Sequence, residues 1–171
     1  YKGRNILNWA IINGEKSYGI TTHFINEKID DGDIIIQKKY PIKQLDDYKS
    51  ILIQTEKRCA NILYFTLNKI YQNNYNRISQ NNIISLRRYF LKRTKKDELI
   101  NWDWDIKKIL NFIRGITLPA PGALSKISNF KIRIFKAKIV KRNNYCYKVG
   151  EITRVNKHSF EVYCIGGILQ I

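Results

Sequence analysis

Gly19-Ile20-Thr21-Thr22-His23-Phe24-Ile25 and Asp33-Ile34-Ile35-Ile36-Gln37-Lys38-Lys39-Tyr40 are two short β-prone runs, joined by the polar segment Asn26-Glu27-Lys28-Ile29-Asp30-Asp31-Gly32 and closed by Pro41. They read as a hairpin holding out a loop, a place where a rigid scaffold presents functional side chains. Upstream, Asn5 to Asn13 is mostly apolar (Ile6, Leu7, Trp9, Ala10, Ile11, Ile12) and reads as a helix ended at Asn13-Gly14. Downstream, Leu45-Asp46-Asp47 supplies acidic capping chemistry to a long amphipathic helix, in which Leu52, Cys59, Ile62, Leu63, Leu67 and Ile70 recur at helical spacing up to Tyr71. This first part is expected to be α/β.

Gln72 to Gln80 is rich in Asn, Gln and Tyr without periodicity and reads as the start of a linker. A basic run with interleaved aromatics, Arg87 to Lys96, follows. Asp103 or Asp105 caps a further helix with Ile106, Ile109, Leu110, Ile113 and Ile116 on one face, stopped by Leu118-Pro119-Ala120-Pro121-Gly122. Short β runs at Lys131–Val140, Tyr145–Val149, Ile152–Val155, Phe160–Cys164 and Ile168–Ile171 are separated by turn signals at Asn143-Asn144, Gly150 and Gly166-Gly167. A small β-barrel of the OB type is the economical expectation.

A chain of 171 residues with 44% hydrophobic and 26% charged residues has the composition of a folded domain, or of one small domain and part of another. The net charge of +17 is spread along the chain, which reads as a solvated basic surface and leaves a phosphate-binding face open. Cys59, Cys146 and Cys164 are odd in number and far apart, with neither zinc-ligand nor redox spacing, so reduced thiols are expected. No stretch has the roughly 20 apolar residues that span a bilayer, and a cytoplasmic location is expected.

By themselves, Asp30, Asp31 and Asp33 around Gly32 admit three readings: an ordinary polar turn, a cation site, or a positioned catalytic carboxylate. His23 reads as a packed strand residue and His158 as a turn residue, and neither is assigned a role. Arg4, just before a helix, either binds an anion or is plain surface. Arg87 to Lys96 either grips phosphate or a base, or is exposed linker.

In this order the pieces resemble the formyltransferase family that uses 10-formyltetrahydrofolate. Tyr1-Lys2-Gly3-Arg4-Asn5-Ile6-Leu7-Asn8-Trp9-Ala10, Asn13-Gly14-Glu15, Gly19-Ile20-Thr21 and Ile29-Asp30-Asp31-Gly32-Asp33-Ile34 are similar to the second half of its Rossmann-like catalytic domain. Trp102, Ile113-Arg114, Pro119-Ala120-Pro121-Gly122-Ala123 and Ile134-Phe135-Lys136-Ala137 are similar to its linker helix and C-terminal barrel. Gly3 to Trp9, Lys92-Arg93-Thr94 and Pro121-Gly122-Ala123 look most like the nucleotide-sugar N-formyltransferases acting on UDP-4-amino-4-deoxy-arabinose; the charge of +17 leans toward the methionyl-tRNA formyltransferases.

The resemblance implies 10-formyltetrahydrofolate as formyl donor, no metal, and a nucleotide-linked amino sugar as acceptor, in the making of a surface polysaccharide or lipopolysaccharide. Transfer to methionyl-tRNA is the alternative, and a nucleic-acid or partner-binding remnant is the non-enzymatic one. It further implies residues 1–74 as the C-terminal part of the catalytic domain, 75–118 as a linker with helix, and 119–171 as an incomplete barrel. Family chemistry uses an Asn-x-His pair and an Asp: the His handles the amine's proton, the Asn steadies the oxyanion, and the Asp favours the charged His. Asp30 matches that Asp; Arg4, Asn26, Glu27, Lys28, Ile29 and Asp30 match cofactor-contacting positions, and Lys92, Arg93 and Thr94 substrate-contacting ones. The family's pair lies upstream of the position matching Tyr1, so the chain is expected to be part of a longer protein and inactive alone.

Overall fold

The computed structural model of the chain describes residues 1–82, 89–140 and 146–171. In chain order, β1 (Lys2–Gly3), α1 (Ile6–Ile12), β2 (Ser17–His23), β3 (Ile34–Pro41), α2 (Tyr48–Tyr71) and β4 (Tyr89–Phe90) make the first part. Helix α3 (Ile106–Gly115) leads to β5 (Ala123–Ile127), β6 (Phe130–Ile134), β7 (Lys138–Val140), β8 (Ile152–Asn156), β9 (Ser159–Cys164) and β10 (Gly167–Gln170). Arg87, Arg88, Asn143, Asn144 and Tyr145 lie outside the described residues. Among the described residues no helix is long and apolar enough to cross a membrane.

Local chemistry sets the helix ends. The Asp47 side chain accepts the Ser50 N–H at 2.8 Å while the Asp47 N–H donates to the Ser50 hydroxyl at 3.1 Å, a reciprocal cap that starts α2. Asp105, and not Asp103, starts α3 by accepting the Lys107 and Lys108 N–H groups. The β2–β3 hairpin is antiparallel, with Ser17 opposite Pro41 and a register shift between Thr22 and His23. Ile11, Tyr18 and Ile51 bury together where α1, β2 and α2 meet.

The expected barrel is replaced by an open arrangement. Among the described residues β5 and β6 form a two-stranded sheet, with Leu124 of β5 also bridged to Leu99, and β7, β10, β9 and β8 form a separate antiparallel sheet in that order. The cause is α3: its Ile106, Ile109, Phe112 and Ile113 share one core with Ala123 and Ile134 of the hairpin and Cys164 and Leu169 of the sheet. A helix covers the apolar strand faces, so the strands need not close on one another. Cys146–Val149 carries no strand, whereas Ala123–Ile127, an unexpected strand, does.

Helix α3 is no free-standing connection, because it packs on α1. The Asn8 side chain, 1% exposed, donates to the Gly115 carbonyl at 2.7 Å. A Cβ on Gly115 would meet Ile12 Cγ1 at 2.8 Å and the Ile12 nitrogen at 3.2 Å. Arg114 adds a second tie, its Nη1 donating to the Lys43, Gln44 and Asp46 carbonyls at 3.2, 3.4 and 2.7 Å. Burial pushes the Arg114 pKa down, opposed by Asp46 and Asp47.

Two expectations follow. Asn8→Ala leaves a buried carbonyl without its donor and Gly115→Ala overfills the crossing, so each lowers stability by about 1–3 kcal/mol in denaturant titration. Cys59 and Cys146 are exposed while Cys164 is buried with its pKa pushed up to about 11. A thiol reagent at neutral pH therefore titrates those two in the folded protein and Cys164 only after unfolding.

Candidate functional site

Past the register shift, the hairpin's loop is pinned at its base. Phe24 N–H donates to the Asp33 carbonyl at 2.9 Å, and Gly32 is pressed so closely on the Phe24 carbonyl that a Cβ would lie 1.7 Å from its oxygen. Only glycine fits there. Asp30 takes a left-handed conformation with φ of 54°, unusual for a residue with a side chain. The segment after α2 then closes over the loop. Ile78 pairs with Ile34 through two backbone hydrogen bonds of 2.8 and 3.0 Å, and the Gln80 amide donates to the Asp30 carbonyl at 3.0 Å and the Gly32 carbonyl at 2.8 Å.

The three carboxylates have different surroundings. Asp31 lies 3.1 Å from Lys2 Nζ, and Asp33 lies 3.8 Å from Arg77 Nε, whose guanidinium also sits 4.2 Å from the centre of the Phe24 ring. Asp30 has an imidazole neighbour: its Oδ1 is 3.9 Å from His23 Nε2, and the side chain is 56% exposed. His23 Nδ1 is 2.7 Å from the Phe24 carbonyl, a contact that places the proton on Nδ1 and turns Nε2 toward Asp30. Asp30, His23 and Gln80 line a cleft of about 590 Å³ together with Tyr1, Lys2 and Lys39. Among the described residues no group of three or more His, Cys, Asp or Glu side chains is placed to hold a metal ion.

Of the residues picked out in the sequence, Asp30 lines this cleft and Arg4 does not. Arg4 is exposed, with its N–H bonded to the Phe90 carbonyl at 2.9 Å, and Asn5, next to it, begins α1 without a side-chain cap. Asn26, Glu27, Lys28 and Ile29 form the exposed outer part of the loop, where Asn26 Oδ1 accepts the Lys28 N–H at 3.0 Å and Ile29 is 86% exposed. Lys92 is exposed, and the Thr94 N–H and hydroxyl both donate to Asp97, holding that carboxyl below its usual range. Arg93 turns inward: its N–H donates to Asn5 Oδ1 at 3.3 Å, Nε and Nη1 are buried without a hydrogen bond among the described residues, and burial pushes its pKa down.

His23 and Gln80 are the site residues that the sequence reading passed over. His23 carried a signal, lying seven residues before Asp30 on a strand that ends at the loop. Gln80 carried none, since it sits in an aperiodic polar stretch. Asn156-Lys157-His158, an Asn-x-His triplet, occupies the β8–β9 turn and does not line the cleft.

Two family models match the chain, "Formyl transferase" over residues 1–66 and "Formyl transferase, C-terminal domain" over residues 92–171. The bifunctional polymyxin resistance protein ArnA of Wigglesworthia glossinidia brevipalpis is 41% identical over 139 residues, covering 81% of this chain and 21% of that protein. The methionyl-tRNA formyltransferase of Pelotomaculum thermopropionicum is 33% identical over 162 residues, covering 95% of this chain and 50% of that protein. The N-formyltransferase of Helicobacter canadensis, solved with folinic acid and dTDP-3-aminofucose, superposes with a TM-score of 0.78 at 25% identity, over all of this chain and 61% of that one. The chain thus spans about half the length of the methionyl-tRNA enzyme and about a fifth of ArnA. With one model on its α1–hairpin–α2 part and the other from residue 92 to its last strand, the chain belongs to the formyl transferase family.

Proposed function

We propose that the chain is part of an enzyme that transfers a formyl group from 10-formyltetrahydrofolate to the amine of a nucleotide-linked amino sugar, with Asp30 as its catalytic carboxylate. The observation that carries this reading is the sorting of the loop's acids: Asp31 and Asp33 face cations, while Asp30 faces the cleft beside an imidazole. A carboxylate directed into the cleft is placed for the role that the family resemblance implies for it, support of the family's proton-handling His. In this reading Arg4, Asn26, Glu27, Lys28, Ile29 and Asp30 meet the folate, and Lys92, Arg93 and Thr94 belong to the acceptor side. Residues 1–74 are the C-terminal part of the catalytic domain, 75–118 a packed connection, and 119–171 the C-terminal β domain. The protein works in the cytoplasm, and the acceptor's product serves a surface polysaccharide.

The solved relative with folinic acid and dTDP-3-aminofucose supports the donor and the acceptor class. A second reading, transfer to methionyl-tRNA, is favoured by the 33% identity over nearly the whole chain and by the net charge of +17. The two separate in one assay, in which the protein as its source makes it is incubated with 10-formyltetrahydrofolate and either dTDP- and UDP-linked amino sugars or methionyl-tRNA. Product mass identifies the formamide. Formylated sugar is the expected result, and formylated methionyl-tRNA alone would overturn the first reading. Asp30→Asn is expected to lower kcat by about 100-fold or more, within the range lost with a proton-transfer group, while Asp31→Asn loses far less.

A further inference from the structure

We infer that Gln80 is a positioning residue for Asp30, acting through the loop backbone; this rests on the reading of Asp30 as the catalytic carboxylate. One side-chain amide donates to two carbonyls of the same turn, Asp30 at 3.0 Å and Gly32 at 2.8 Å, and the residue is 9% exposed. Asp30 sits in a left-handed conformation that a residue with a Cβ does not hold for free. Its carbonyl is oriented by rotation about the Cα–C bond, so a donor fixed against it holds the peptide plane that leaves Asp30 and, through Cα, limits the direction of the carboxylate.

The donor is itself fixed. Gln80 lies two residues past Ile78, which is bonded in both directions to Ile34 at the foot of the hairpin. Arg77 covers the Phe24 ring and lies near Asp33, and Tyr75 packs its ring 5.8 Å from the same Phe24. Three anchors, Tyr75, Arg77 and Ile78, therefore set where the Gln80 amide reaches, and the partners of all three, Phe24, Asp33 and Ile34, flank the loop that carries Asp30. Lys2 holds the next carboxylate, Asp31, at 3.1 Å, so the loop is gripped from both sides and Asp30 is left directed at His23 and the cleft. A shift of the order of 1 Å in a catalytic group costs about 100-fold in rate, so loss of one grip is felt in kcat.

The test compares steady-state formyl transfer by the protein as its source makes it with Gln80→Met, Asp30→Asn and the double variant. Gln80→Met keeps length and volume and removes the donor. It is expected to lower kcat by about 10–100-fold with KM for the folate within about twofold, and to add no further loss in the Asp30→Asn background, because two residues acting as one unit are not additive. A merely structural role would instead lower activity by the same factor in both backgrounds, which overturns the inference. So does a wild-type rate in Gln80→Met alongside an inactive Asp30→Asn. Full activity in Asp30→Asn, or no transfer by the wild type, overturns the reading of Asp30 and this inference with it. Should Gln80→Met not fold, Gln80→Asn, which keeps the amide but shortens its reach, carries the same comparison.

Discussion

The carboxamide of Asn8, out of contact with water and bonded to the carbonyl of Gly115, joins the two parts of the chain. That carbonyl belongs to the last turn of α3, where no backbone donor within the helix can reach it. Its burial against α1 is possible because α1 brings the donor with it and residue 115 has no side chain to hold the helices apart. The consequence runs outward in both directions. On one side α3 carries the hairpin and sheet of the C-terminal part; on the other, α1 follows β1, and Lys2 of β1 reaches Asp31 in the loop between β2 and β3. A contact deep between two helices thus bears on where the loop's acids lie.

Within that loop, electrostatics and backbone geometry act together. Three carboxylates within four residues repel one another, and the repulsion is relieved by separating them toward different neighbours: Lys2 for Asp31, Arg77 for Asp33 and the His23 ring for Asp30. The separation needs a sharply folded chain. Asp30 supplies it with a positive φ and Gly32 with a missing Cβ at the Phe24 carbonyl. The apolar and aromatic groups around it, Ile34 paired with Ile78 and Phe24 under Arg77, keep this polar turn on a stiff base.

The parts of this structure legible in the sequence are those whose causes are local. The Asp47 and Asp105 caps, the helical spacing up to Tyr71 and the two strands of the hairpin depend on residues a few positions apart, and they form where local rules place them. The prominence of the Asp30 loop was legible for the same reason. What was not legible depends on packing across the chain. Gln80 meets carbonyls about fifty residues earlier, and nothing in an aperiodic polar stretch marks that meeting. The open C-terminal sheet has the same origin: short β runs between turn signals predict strands, but not that α3, rather than another strand, covers their apolar residues.

The basic segment after β4 shows how far residue type alone can mislead about a binding role. Lys92 and Arg93 are adjacent and carry the same charge, yet Lys92 reaches solvent while Arg93 Nε and Nη1 are buried without a hydrogen bond among the described residues. A guanidinium sheltered in this way has lost hydration, which is why its pKa moves down, with Glu98, Tyr48 and Asp97 opposing the shift from nearby. It cannot wrap an exposed phosphate without first turning outward, whereas the Lys92 ammonium needs no such rearrangement. Meanwhile the Arg93 backbone is tied to Asn5 Oδ1 and the adjacent Phe90 stacks on Tyr1 and Trp9, so this stretch holds the start of α1 in place. An anion approaching this stretch would therefore meet the Lys92 ammonium first, while Arg93, held to Asn5 through its backbone, fixes the chain from which Lys92 projects.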